Sequence, residues 1–162
     1  MEIGLKVLAE KAKQVLDTVH LNDKVRYRSV CFMSNDISMT EGLKNSFYIE
    51  LSTYERWLSP NQGGAPAYGT ARNAFEKLVL TNTSKGLLVY RPEEWITNWP
   101  KIDQAAFWSF ISMMHGQREI VLITSMNAKS DIKRYMNEFA IDGTGVSYWL
   151  SNKERKYGSF LK

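Results

Sequence analysis

Apolar residues recur at helical spacing from Ile3 to Val19 (Ile3, Leu5, Val7, Leu8, Ala12, Val15, Leu16, Val19), so the chain opens on an amphipathic helix. After Leu21, Asn22 and Asp23 comes Val25 to Met33, rich in β-branched and aromatic residues, which predicts the first core strand. Phe47 to Leu51 is short enough for a second strand, and STYERWLSP reads as a helical turn ended by Pro60. Asn61 to Gly69, NQGGAPAYG, combines adjacent glycines with Pro66 and predicts a flexible loop. Thr70 then caps a helix that turns Ala71, Ala74, Phe75, Leu78 and Val79 inward.

The stretch around which the rest is arranged runs from Gly86 to Ser125. GLLVY has the character of a strand buried on both faces, Pro100 opens and Gly116 closes a helix with a broad apolar face, and EIVLIT is a further buried strand. Ser125 to Ala140 reads as another helix with Ile132, Tyr135, Met136 and Phe139 inward. Asp142 and Gly143 make a turn, and Val146 to Leu150 ends the sheet. Strands alternating with helices predict one α/β domain over residues 1–162, Rossmann-like or P-loop-like, with a mainly parallel sheet of about five strands and helices on both faces.

Composition adds limits to this picture. A length of 162 residues with 44% hydrophobic and 23% charged residues suits a folded domain and speaks against disorder. A net charge of +4 permits nucleic acid or an acidic partner without requiring either. Cys31 is the only cysteine, which excludes an internal disulfide, and its place in VRYRSVCFM marks it as a buried strand residue rather than a nucleophile. The opening helix carries charges throughout, so neither a signal peptide nor a membrane span is expected and the cytoplasm is the expected location. His20 and His115 stand far apart with no ligand-type spacing, so no metal and no cofactor is expected.

Candidate chemistry falls at strand ends. Ser34, Asn35, Asp36, Ser38 and Thr40 follow the first strand, where α/β proteins hold ligands. The alternative for the same residues is a strand-to-helix turn with Asp36 or Ser38 as the N-cap. Glu93 and Glu94 follow the central strand and are the carboxylates an enzyme would use. With Glu50 and Asp142 they would serve a metal-dependent nuclease if strand ends brought them together, though no spacing demands it. Trp95 and Trp99 stand one helical turn apart beside Arg91, which gives either a docking anchor for a protein partner or a cap on the core. From about residue 151 to 162 the chain interleaves Lys153, Arg155 and Lys156 with Tyr157 and other aromatics, a mix suited to single-stranded nucleic acid and equally to a solvated terminus.

The order of an opening helix, a strand with a polar loop, LLVYRPEEW in the place of an acidic strand end and VLITSMN in the place of a polar-tipped sensor strand resembles the core of AAA-like and STAND-like P-loop NTPases. In general layout it is most similar to the small P-loop proteins encoded in bacterial phage-defence operons of the BREX type. Where the phosphate-cradling loop would lie, FMSNDISMTEG has neither leading glycines nor Gly-Lys-Ser/Thr. After the apolar run Tyr90 and Arg91 stand where an aspartate would be, and the glutamates come later, behind Pro92. The resemblance therefore implies a degenerate member that does not hydrolyse ATP. The expectation is a non-catalytic protein that binds a protein partner, in phage defence or a mobile element. The alternatives are a nucleotide- or phosphodiester-processing enzyme and a nucleic-acid binder using the basic tail.

Overall fold

A computed structural model describes residues 2–21, 26–45, 50–51, 67–80, 87–114 and 120–153. In chain order they form α1 (Glu2–His20), β1 (Ser29–Ser34), α2 (Ile37–Lys44), β2 (Glu50–Leu51), α3 (Tyr68–Leu80) and β3 (Leu87–Tyr90). Then come α4 (Pro92–Trp95), α5 (Lys101–Ser112), β4 (Ile120–Ser125), a 3-10 turn (Met126–Ala128), α6 (Lys129–Ile132), β5 (Met136–Ile141) and β6 (Val146–Ser151). The strands make one six-stranded sheet in the order β2-β3-β4-β1-β6-β5. β2, β3, β4 and β1 pair in parallel, whereas β6 runs antiparallel to β1 and β5 antiparallel to β6.

Continuous apolar runs give β1, β3 and β4 their central places, because a strand covered on both faces has no solvent side on which to put polar residues. Alternate residues divide between two cores. Cys31, Met33, Leu87, Val89, Ile120 and Leu122 face Phe107, Trp108 and Ile111 of α5, with Ala71 of α3 and Ile132 of α6. Val30, Phe32, Leu88, Tyr90, Val121 and Ile123 face Leu8, Ala12, Leu16 and Val19 of α1 and Leu43 of α2. The protein is thus α/β, with helices on both faces of the sheet.

Three expectations change. The sheet is mixed, with β6 and β5 running antiparallel beside the parallel strands, and it has six strands where about five were expected. The helix expected from Ser125 to Ala140 stops at Ile132, and its second half is β5. In that strand even and odd positions part: Met136 joins the α5 side, while Phe139 and Ile141 join the α1 side. Phe139 stacks on Tyr148 of β6 with ring centroids 5.2 Å apart. Val146 to Leu150 accordingly lies inside the sheet and β5 forms its edge. The turn between them has Gly143 at φ 78° and Gly145 at φ 72°, left-handed positions that glycine takes without a Cβ penalty.

Trp95 and Trp99 are core residues, 1% and 7% exposed, which removes them as an exposed docking pair. Trp99 meets Tyr68 and Phe107 edge to face, each at 5.6 Å, in the layer between α3 and α5. Burial of such large apolar rings outweighs anything they would gain at a surface. Among the described residues no helix is long and apolar enough to cross a membrane. The expected helical turn at 52–60 and residues 61–66 of the loop expected at Asn61 to Gly69 lie outside the described residues, whereas Tyr68 and Gly69 already belong to α3, so Thr70 sits inside that helix and not at its cap.

Candidate functional site

The parallel strands end together. Ser34 of β1 lies opposite Ser125 of β4, and Tyr90 of β3 lies opposite Ile123. From β1 the chain leaves towards β2 at one edge, and from β4 it leaves towards β5 at the other. The crevice between their tips is the topological switch point at which open α/β sheets hold ligands. Most of the polar residues singled out in the sequence converge there.

At the β1 tip only Asn35 and Asp36 separate the strand from α2. The Ser34 hydroxyl accepts from the Asp36 N–H at 3.0 Å and fixes the turn. Asp36 is the N-cap of α2: its Oδ1 accepts from the Ser38 N–H at 2.9 Å and from the Ser38 hydroxyl at 2.6 Å. These bonds to Ser38 hold the Asp36 carboxyl below the usual carboxylate range. The amino end of α2, where an anion would otherwise dock, is therefore already served by the protein's own carboxylate. Thr40 is buried on α2, 2% exposed, so it is not part of a ligand loop.

At the β3 tip the chain bends sharply. Arg91 has φ 48° and ψ 55°, the left-handed region that costs a non-glycine residue about 1–2 kcal/mol. Its N–H donates to Ile123 O at 2.8 Å, which anchors the bend to β4. Its Nη1 donates to Glu94 Oε1 at 3.2 Å, while its enclosed Nε and Nη2 have no partner among the described residues. Glu93 reaches across to β4, where its Oε2 accepts from both the N–H and the hydroxyl of Ser125 at 2.8 Å. Burial pushes the Glu93 carboxyl above the usual range, and the two bonds from Ser125 return part of that shift. Next to it the Tyr90 hydroxyl donates to the Glu41 carboxylate on α2, and the Lys44 ammonium sits 4.5 Å above the Tyr90 ring. Burial, then the bond to Glu41, raises the Tyr90 phenol.

An open cavity of about 360 Å³ lies beside the β1 tip, bounded by Met33, Ser34, Asn35, Met126 and the β5–β6 turn. Among the described residues Glu138 and Asp142 contribute its charge, and no Lys or Arg lines it. The pairing of methionines with carboxylates suits an apolar or cationic group better than a phosphate.

The four carboxylates considered for a nuclease do not converge. Glu50 pairs with Leu87 at the start of β3, the opposite end from Glu93. Asp142 follows β5, which β4, β1 and β6 separate from β3, roughly four strand spacings or ~19 Å. Among the described residues no group of three or more His, Cys, Asp or Glu could hold a metal ion. Cys31 is enclosed in β1 beside Thr124, and burial pushes its thiol up to about 12, so it is no nucleophile at neutral pH. His20 is bound into the α1–β1 connection, its Nε2 2.6 Å from Arg28 O.

Lys153 is exposed just after β6, at the opposite end of the sheet from the switch point; Arg155, Lys156, Tyr157 and His115 lie outside the described residues. Sequence reasoning flagged the polar tip of β4 but not its bond to Glu93, because that contact joins residues far apart in the chain. The Glu41 bond to Tyr90 was missed for the same reason. No family model matches the chain, and neither a curated protein nor a solved structure matches it.

Proposed function

We propose that this chain is a non-catalytic α/β binding or assembly protein built on a degenerate NTPase-like core, working with a protein partner in the cytoplasm, in a setting such as bacterial phage defence. The observation that carries the reading is Asp36. A loop that binds nucleotide must present open backbone amides and a lysine to the phosphates. Here a two-residue connection leaves no cradle, and a carboxylate occupies the helix end that phosphate would need. The bond from Ser125 to Glu93 fits the same reading, since it joins the acidic turn to the polar strand tip as a fixed structural link. No cofactor is called for.

The test is thermal unfolding of the purified chain with millimolar ATP or GTP and magnesium. The expected result is no change in midpoint; stabilisation by several degrees would overturn the proposal, because a ligand that binds only the folded state must raise its stability. A second reading, an enzyme acting on a nucleotide or phosphodiester, draws on one observation: the enclosed Oε1 of Glu93 has no partner among the described residues, and burial raises the carboxyl above its usual range. Turnover of a generic phosphodiester that is lost in Glu93→Gln would favour this reading.

A further inference from the structure

We propose that the amino end of the sheet, where β6 ends and β5 begins, is a binding surface for the phosphate backbone of nucleic acid, with Lys133, Arg134 and Lys153 as its contacts. Met136 and Ser151 lie opposite each other in the β5–β6 pair, so the turn that leads into β5 and the residues that leave β6 meet at one place. Asn152 ties them together. Its N–H donates to Tyr135 O at 2.9 Å and its Nδ2 donates to Arg134 O at 3.0 Å. The clamp holds Lys153 beside Lys133 and Arg134, and all three side chains are exposed.

None of the three makes an ion pair among the described residues. Among the described residues the carboxylates on the neighbouring elements are Asp131 on α6 and Glu138 on β5, the latter lining the cavity at the other end; Glu154, next to Lys153 in the sequence, lies outside the described residues. Arg26, exposed in the lead into β1, adds a further positive charge at this end, since Val30 pairs with Leu150 near the end of β6. Like charges set side by side on a rigid backbone raise the local potential, and a polyanion relieves that field by releasing its counterions. Nucleic acid is favoured over an acidic peptide because its charges repeat at regular spacing along a strand. The surface differs from the basic tail considered from sequence, since two of its three residues precede β5.

The experiment is fluorescence anisotropy of a labelled single strand and of the matching duplex, titrated with the full chain over a series of KCl concentrations. The triple variant Lys133→Ala, Arg134→Ala, Lys153→Ala should bind at least about tenfold more weakly at low salt, with a log–log salt slope flatter by roughly 2 to 3. The exposed pair Lys6→Ala, Lys13→Ala on α1 should change affinity by less than about twofold. Binding of either the strand or the duplex with this dependence supports the proposal. Absence of binding by the unmodified chain, an unchanged slope in the triple variant, an equal loss in the α1 pair, or displacement by charge-matched polyglutamate as effective as by oligonucleotide each overturns it. Circular dichroism of the triple variant, whose substitutions are all at exposed positions, shows that weaker binding is not unfolding.

Discussion

At the carboxyl end of the sheet, charges are answered from within. Asp36 caps α2, Glu41 takes the Tyr90 hydroxyl, Glu93 takes both donors of Ser125, and Glu94 takes one nitrogen of Arg91. At the amino end, Lys133, Arg134 and Lys153 are brought to one place by the Asn152 clamp, and among the described residues no carboxylate is paired to them. In an α/β sheet the first end is where ligands are usually sought. Here most of its polar groups are spent on fixing loops, Arg91 Nε and Nη2, Glu93 Oε1 and the carboxylates of the cavity excepted, whereas among the described residues the three cations at the other end form no ion pair. A polar residue at a strand tip is thus evidence of a site only after its internal partners have been subtracted.

The largest test of this contrast removes the floor beneath the carboxyl end. Trp95 directly follows Glu93 and Glu94 and is buried against the core of the α5 side. Trp95→Ala should cost about 3–5 kcal/mol in urea unfolding, as removal of a large buried ring does. An exposed anchor would instead lose little stability, so a cost below about 1 kcal/mol would return the ring to the surface.

Glu93→Gln gives a smaller effect with a defined sign. A carboxyl raised in the fold favours the protonated form, so its contribution is fully present below the unfolded value and is lost as pH rises through the folded one. Glutamine keeps an acceptor for Ser125 without the buried charge. The variant should therefore be more stable than the parent at pH 8, and the two should converge as pH falls to about 4. Equal urea midpoints at both pH values would mean that solvent reaches Glu93 freely. The smallest effect belongs to Asp36→Ala, which should lower the melting midpoint slightly at pH 7. Since the Asp36 carboxyl is lowered, that difference should vanish as acid protonates the parent below its usual value of 3.8.

Much of the architecture could be read from the chain because the signals were local. The apolar runs at Val30, Leu87 and Ile120 are strands buried on both faces, and α1, α3 and α5 follow their periodicity to within a few residues. The error fell at Ser125 to Ala140. Ile132, Tyr135, Met136 and Phe139 match helical spacing, but Met136, Phe139 and Ile141 also divide correctly between two faces of a strand. The Asp142–Gly143 pair tips that balance, since a hairpin turn demands a strand on each side. The site was legible in its residues and not in its bonds: Glu93 with Ser125 and Tyr90 with Glu41 are tertiary pairings that no spacing encodes. Of the two alternatives for Trp95 and Trp99, a docking anchor or a cap on the core, burial selects the core, a choice that spacing beside charged residues cannot make.

The position of β1 also governs the order in which the protein can be made. Its two neighbours, β4 and β6, are encoded roughly 90 and 120 residues later, so one of the two central strands precedes both of its partners in the chain and is among the last to be completed. A nascent chain that has emerged only as far as α5 carries an apolar strand with both edges open. Such a species is exposed to wrong pairings on the ribosome, and folding from that point depends on the β5–β6 hairpin, a local element able to form quickly and to dock as a unit.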